Sequence, residues 1–104
     1  VVTDEKILGT WKELMDEYYL AMGYTPMKCT FNSDGTGAMG YDYTFNESYN
    51  YGYGIEFGFK YTIKDNTVYL TSKYFDGETK DMILPYGLSG GNLVLGGVGY
   101  EKAD

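Results

Sequence analysis

Fifteen carboxylates and one thiol are the side chains of this 104-residue chain best suited to catalysis, because histidine and arginine are both absent. Two carboxylates flanking a glycosidic bond can hydrolyse it, one as acid and the other as base or nucleophile, and Glu13 with Glu17 or Asp42 would make such a pair. Among so many acids, pairs of this kind arise by chance, and the chain reads as non-catalytic. Without histidine a hydrolytic triad cannot be built, and Cys29 has no base to activate it. A metal site of His and Cys ligands is excluded on the same count. Asn32, Asp34 and Gly35 share residue types with a calcium loop but lack its full spacing and terminal Glu, so they read as a hairpin turn. Neither a cofactor nor a metal is expected.

Tyrosine is the other chemical signal, with 13 residues, of which Tyr41, Tyr43, Tyr49, Tyr51 and Tyr53 fall close together in the middle of the chain. A phenol ring offers a flat apolar face with a hydroxyl at its tip. Such a group stacks on sugars, packs on apolar ligands or anchors a protein partner. Against this stands the ordinary role of strand tyrosines, which fill a core from inside and make cross-strand pairs outside.

The net charge of −7 comes from 15 acidic residues against 8 lysines. Nucleic acid is an unsuitable partner, since no stretch concentrates positive charge for a phosphate backbone. No apolar run approaches the roughly 20 residues that span a bilayer as a helix. Cys29 lies in a period-two run and reads as a small buried hydrophobe, and a single cysteine forms no intramolecular disulfide. The chain opens on Val1-Val2-Thr3-Asp4, as a mature or excised fragment would. Its wealth of Tyr, Gly, Asn and Thr suits an exported bacterial domain, so a secreted or cell-surface location is expected.

The elements that must position these residues are short strands. Fifteen glycines against 2 prolines, with 18% aromatic residues, combine turn formers with strand formers in one domain, residues 1–104. Thr3 or Asp4 caps a helical turn over Glu5 to Leu8, which Gly9 ends. An extended run follows, with Gly9, Trp11, Glu13 and Met15 on one face. Residues 16–22 fit both a strand and a helical stripe, and the strand is the favoured expectation.

From Met27 the alternation is clear. Met27, Cys29 and Phe31 share a face, Ser33-Asp34-Gly35-Thr36 turns the chain, and Met39, Tyr41, Tyr43 and Phe45 return. Ile55, Phe57, Phe59, Tyr61 and Ile63 make the most regular strand. Asp65-Asn66 turns into Val68, Leu70, Ser72 and Tyr74. Asp76-Gly77 turns again into Met82, Leu84, Tyr86 and Leu88, all facing inward, with Pro85 outward at an edge or bulge. Leu93 to Leu95 and a glycine-dense stretch to Tyr100 complete the chain. Tyr61-Thr-Ile-Lys-Asp-Asn-Thr-Val-Tyr-Leu70 echoes Tyr86-Gly-Leu-Ser-Gly-Gly-Asn-Leu-Val-Leu95, which is the repeat of an antiparallel meander. The expected fold is therefore all-β, an antiparallel up-and-down meander closing into a small barrel of seven or eight strands.

Leu8-Gly9-Thr10-Trp11 after one helical turn, Phe31-Asn32-Ser33-Asp34-Gly35-Thr36-Gly37 and the Tyr-x-Ile…Val-x-Leu echo resemble the small bacterial lipocalin-like (calycin) domains. The resemblance implies structural roles for Gly9 and Trp11, with the indole closing one barrel end and a late basic residue over it. Lys102 is the candidate for that residue. It also implies a non-catalytic domain taking a small apolar or amphipathic ligand at the barrel mouth. Tyr43, Tyr51, Tyr53, Phe57 and Tyr74 are the lining expected here, and a monomer is favoured. Two alternatives stand beside it: a carbohydrate-binding or adhesive module presenting outward tyrosines, and a filled barrel serving as a structural or protein-interaction module. With Trp11, Phe57, Phe59, Tyr61, Tyr74 and Tyr86 all candidates for the interior, a filled or nearly filled core is favoured over a roomy cavity.

Overall fold

A computed structural model describes residues 4–24, 26–41, 55–73 and 78–103. Eight strands form a closed antiparallel barrel in simple chain order, β1 (Gly9–Glu13), β2 (Met27–Phe31), β3 (Thr36–Tyr41), β4 (Ile55–Lys64), β5 (Thr67–Lys73), β6 (Thr79–Ser89), β7 (Asn92–Leu95) and β8 (Val98–Lys102). The last strand returns to the first through Trp11 opposite Lys102 and Glu13 opposite Tyr100. Closure removes the unpaired edges that an open sheet of these strands would present to other chains.

The turns explain why the strands stop where they do. Asp65-Asn66, Gly90-Gly91 and Gly96-Gly97 each hold both central residues at positive φ, the conformation whose twist suits a two-residue hairpin. Asp and Asn tolerate that region better than other side-chain-bearing residues. The echo in the sequence is a structural repeat, because Tyr61 pairs with Leu70 and Tyr86 pairs with Leu95, each across such a turn. At residues 32–36, the Asp34 carboxylate accepts from the Thr36 backbone N–H at 3.0 Å and from its hydroxyl at 2.6 Å, which makes this segment a hairpin turn.

Inward side chains from every strand fill the barrel. Trp11, Cys29, Phe31, Met39, Phe59, Tyr61, Ile63, Val68, Leu70, Leu93, Leu95 and Tyr100 are buried in one cluster, with Met27, Met82, Leu84 and Tyr86 packed against it. Phe31, Phe59 and Tyr61 form three mutually edge-on rings, 5.1 to 6.1 Å between centroids, beside the β2–β3 turn, where the Tyr61 hydroxyl donates to the Asn32 carbonyl at 2.6 Å. Gly37 makes room for them, since a Cβ there would collide with the Thr30 carbonyl and the Phe59 ring. Cys29 is fully buried, and burial pushes its thiol up to about 12, so it is an inert core residue.

Two expectations are corrected. Residues 16–22 do not form a strand: Glu17–Ala21 is a helix, α1, and the eighth strand comes instead from the Gly96-Gly97 turn dividing β7 from β8. Leu88 has inward parity but is exposed, because β6 continues to Ser89 at the barrel rim. Pro85 points outward, as expected, at a locally open edge of β6, with Thr67 of β5 paired on its other side. It sits one residue before the β6–β7 ladder begins at Tyr86 opposite Leu95, so the N–H it lacks has no ladder partner to lose, while its carbonyl accepts from Gly96 N–H at 2.8 Å.

Candidate functional site

The two ends of the barrel are built differently. At one end β2 hands over to β3, β4 to β5 and β6 to β7, and the chain before β1 crosses the opening as a 3-10 turn, Glu5–Ile7. Asp4 caps that turn by accepting from Lys6 N–H at 3.0 Å. Its other carboxylate oxygen accepts from the Tyr86 hydroxyl at 2.8 Å. Ile7 is thereby driven into the core with no exposed surface. Trp11 lies on it, donating from Nε1 to the Ile7 carbonyl at 2.8 Å. Above the indole, the Lys102 ammonium sits 4.7 Å from the ring centroid and donates to the Leu8 carbonyl. Gly9, at φ 109°, redirects the chain from the plug into β1. This end is sealed.

At the opposite end β1 hands over to β2, β3 to β4, β5 to β6 and β7 to β8. Glu13, on the inward face of β1, brings a carboxylate to this mouth and accepts from Met27 N–H at 3.2 Å. Beside it the Tyr100 hydroxyl contacts Met27 Sδ at 3.9 Å.

The β1–β2 connection carries α1, and the helix exists because both of its ends are capped. Asp16 accepts from Tyr18 N–H at 2.9 Å. At the other end Gly23, at φ 91°, ends the helix; Gly23 N–H bonds to the Leu20 carbonyl and Tyr24 N–H to the Tyr19 carbonyl, at 3.0 and 3.1 Å. This is a Schellman closure, and it lays the Tyr24 ring against Tyr19. The rings of Tyr18 and Tyr19 lie 5.6 Å apart and those of Tyr19 and Tyr24 5.8 Å, each pair near 80°. No residue of α1 is buried. Tyr18, Tyr19 and Tyr24 are exposed by 66, 50 and 56%, with Leu14, Leu20 and Met22 also open to solvent.

Of the residues expected to line a ligand site, Tyr43, Tyr51, Tyr53 and Tyr74 lie outside the described residues. Phe57 takes its place in β4 opposite Met39, its side chain lying outside what the structure describes. The tyrosines of α1 were not among the expected lining. The signal that could have found them is the pair of caps, Asp16 and Gly23, seven residues apart around two adjacent tyrosines.

A second surface lies on the outer wall of β4, β5 and β6, where a groove of about 490 Å³ is bordered by Lys60, Thr62, Tyr69, Thr71, Asp81 and Ile83. Thr71 donates to Asp81 at 2.7 Å within it. Tyr69 is flanked across the strands by Thr62 and Ile83, so its row holds one aromatic ring and no stacking platform.

Among the described residues no three His, Cys, Asp or Glu side chains gather as metal ligands, and no helix is long and apolar enough to cross a membrane. Fold and geometry together define a closed eight-stranded antiparallel barrel with one plugged end and one aromatic end. Comparison with protein-family models, with curated proteins and with solved structures finds no match to this chain.

Proposed function

We propose that this chain is a non-catalytic, lipocalin-like binding domain that takes a small apolar or amphipathic ligand at the barrel mouth opposite the plug. The observation that carries the reading is the asymmetry of the ends. One is sealed by Ile7, Trp11 and Lys102, while the other has Leu14, Tyr18, Tyr19, Leu20, Met22 and Tyr24 exposed on a single connection. Contiguous exposed apolar surface of this kind marks interaction sites in soluble proteins. Inward side chains from all eight strands pack into one cluster, so the ligand sits shallowly, against the mouth. Tyr43, Tyr51, Tyr53, Phe57 and Tyr74 remain its proposed lining, alongside α1. A secreted or cell-surface location belongs to the same proposal and follows from composition. The packed centre supports a second reading, a filled barrel whose exposed end meets a protein partner.

The test is titration of the purified chain with Nile red, an uncharged environment-sensitive dye. Saturable emission lost in a Tyr51→Ala/Tyr53→Ala variant of unchanged circular dichroism is the expected result. Absence of dye binding would overturn the small-ligand reading in favour of the partner-binding one.

A further inference from the structure

The tyrosines at the end opposite the plug have a geometry that selects for charge as well as for apolar surface. Tyr18 and Tyr24 each stand nearly perpendicular to Tyr19, so the cluster presents ring faces in more than one plane rather than a single flat patch. Ring faces carry the negative part of the aromatic quadrupole and attract cations, most strongly weakly hydrated ones. The arrangement is held by the backbone. The Schellman closure fixes Tyr24 over Tyr19, and the Asp16 cap fixes the start of the turn that carries Tyr18. A ligand therefore meets rings whose ordering cost was met on folding.

The connection that carries the rings bears charge of one sign, with Lys12 and Lys28 facing each other where β1 and β2 leave it. Residues 13–24 contain Glu13, Asp16 and Glu17 and no lysine. Asp16 and Glu17 are exposed beside the rings, and the chain as a whole carries −7. An anionic ligand would be repelled here, and a neutral one would leave these carboxylates idle.

We infer that Tyr18, Tyr19 and Tyr24 form a binding site for an organic cation of the quaternary-ammonium class, with Asp16 and Glu17 supplying the countercharge. This deepens the proposed function and rests on it, since it treats the end opposite the plug as the binding surface. The ammonium head lies against the rings, and an attached chain, where the ligand has one, runs over Leu20 and Met22.

Choline and its uncharged carbon analogue 3,3-dimethylbutan-1-ol differ mainly in charge, and both can be titrated into the labelled protein at 0.15 M salt and followed by amide shifts. Choline is expected to bind about tenfold more tightly, as a cation–π contact with countercharge provides, with the largest shifts at residues 16–24. Tyr19→Phe should keep that preference and Tyr19→Leu should abolish it. Because α1 buries no residue, both variants are expected to keep the barrel, which unchanged amide shifts in β4 and β5 would verify. Equal affinity for the two compounds, or a choline preference that survives in Tyr19→Leu, overturns the inference. Nile red separates the two readings. Dye binding without choline preference leaves the apolar-ligand function standing and removes the cation site; choline preference without dye binding does the reverse; and loss of both removes both.

Discussion

The ammonium of Lys102 stands 4.7 Å from the centre of the Trp11 ring, and the two residues are also direct cross-strand partners where β8 meets β1. One lysine thus joins the last strand to the first, covers the indole and donates to the carbonyl of Leu8, which begins the path into β1. The cation, the ring and the plug form one unit.

Replacing Lys102 by Met keeps most of the aliphatic stem and removes the charge. The cation–π contact and the bond to Leu8 are then lost together, and a decrease of about 1 kcal/mol in unfolding free energy is expected. Trp11→Phe should cost about 3 kcal/mol, because it leaves a void and a buried Ile7 carbonyl without its donor. Urea unfolding measures both, and a Lys102→Met variant as stable as the parent would contradict the first.

Asp4 and Tyr86 predict how stability responds to pH at both extremes. The Lys6 backbone N–H, then the Tyr86 hydroxyl, hold the Asp4 carboxyl below its ordinary value of 3.8. A group depressed in the folded state stabilises above its unfolded value, so this contribution is present above pH 4 and is lost as pH falls further. Burial, then the bond to Asp4, push Tyr86 from 10.0 up to about 12. A group raised in the folded state stabilises fully below its unfolded value, and here the contribution declines as pH climbs from 10 to 12. Urea midpoints across pH should fall at both ends. Asp4→Asn should flatten the acid limb and Tyr86→Phe the alkaline one; an unchanged alkaline limb in Tyr86→Phe would rule out this assignment.

Gly37→Ala tests the packing of the three core rings. The added methyl would strike the Thr30 carbonyl across β2 and the ring of Phe59, and neither can move without disturbing the Phe31 and Tyr61 rings. The expected loss is about 3 kcal/mol. Gly87→Ala, where a Cβ meets nothing, is the control and should change stability little.

Most of the barrel was legible before the structure, because inward and outward residues alternate and one face of nearly every strand is buried. Phe59, Tyr61 and Ile63 against Lys60, Thr62 and Lys64 show this plainly. The Asp65-Asn66 and Gly90-Gly91 turns could be placed by residue type, and the echo around them located true cross-strand partners. The helix at Glu17–Ala21 was hidden for a physical reason. A helix that buries nothing puts its apolar stripe against no core, and Tyr18, Tyr19 and Met22 fit either period. What makes it helical is its two caps, at Asp16 and Gly23. The candidate site inherited the same difficulty, since the α1 tyrosines belong to that helix while Tyr43, Tyr51, Tyr53 and Tyr74 fall outside the described residues.

The seam between β1 and β8 has a consequence for the order of events when the chain is made. Lys102 reaches Leu8 across a sequence separation of 94 residues, and β8 follows every other strand. On the ribosome, β1 must wait with one side unpaired until residues 98–102 emerge, and β7 waits with it. During that interval the sheet has two raw edges and the indole of Trp11 lacks its cover, so the barrel is most prone to stick to other nascent chains just before its last five-residue strand arrives.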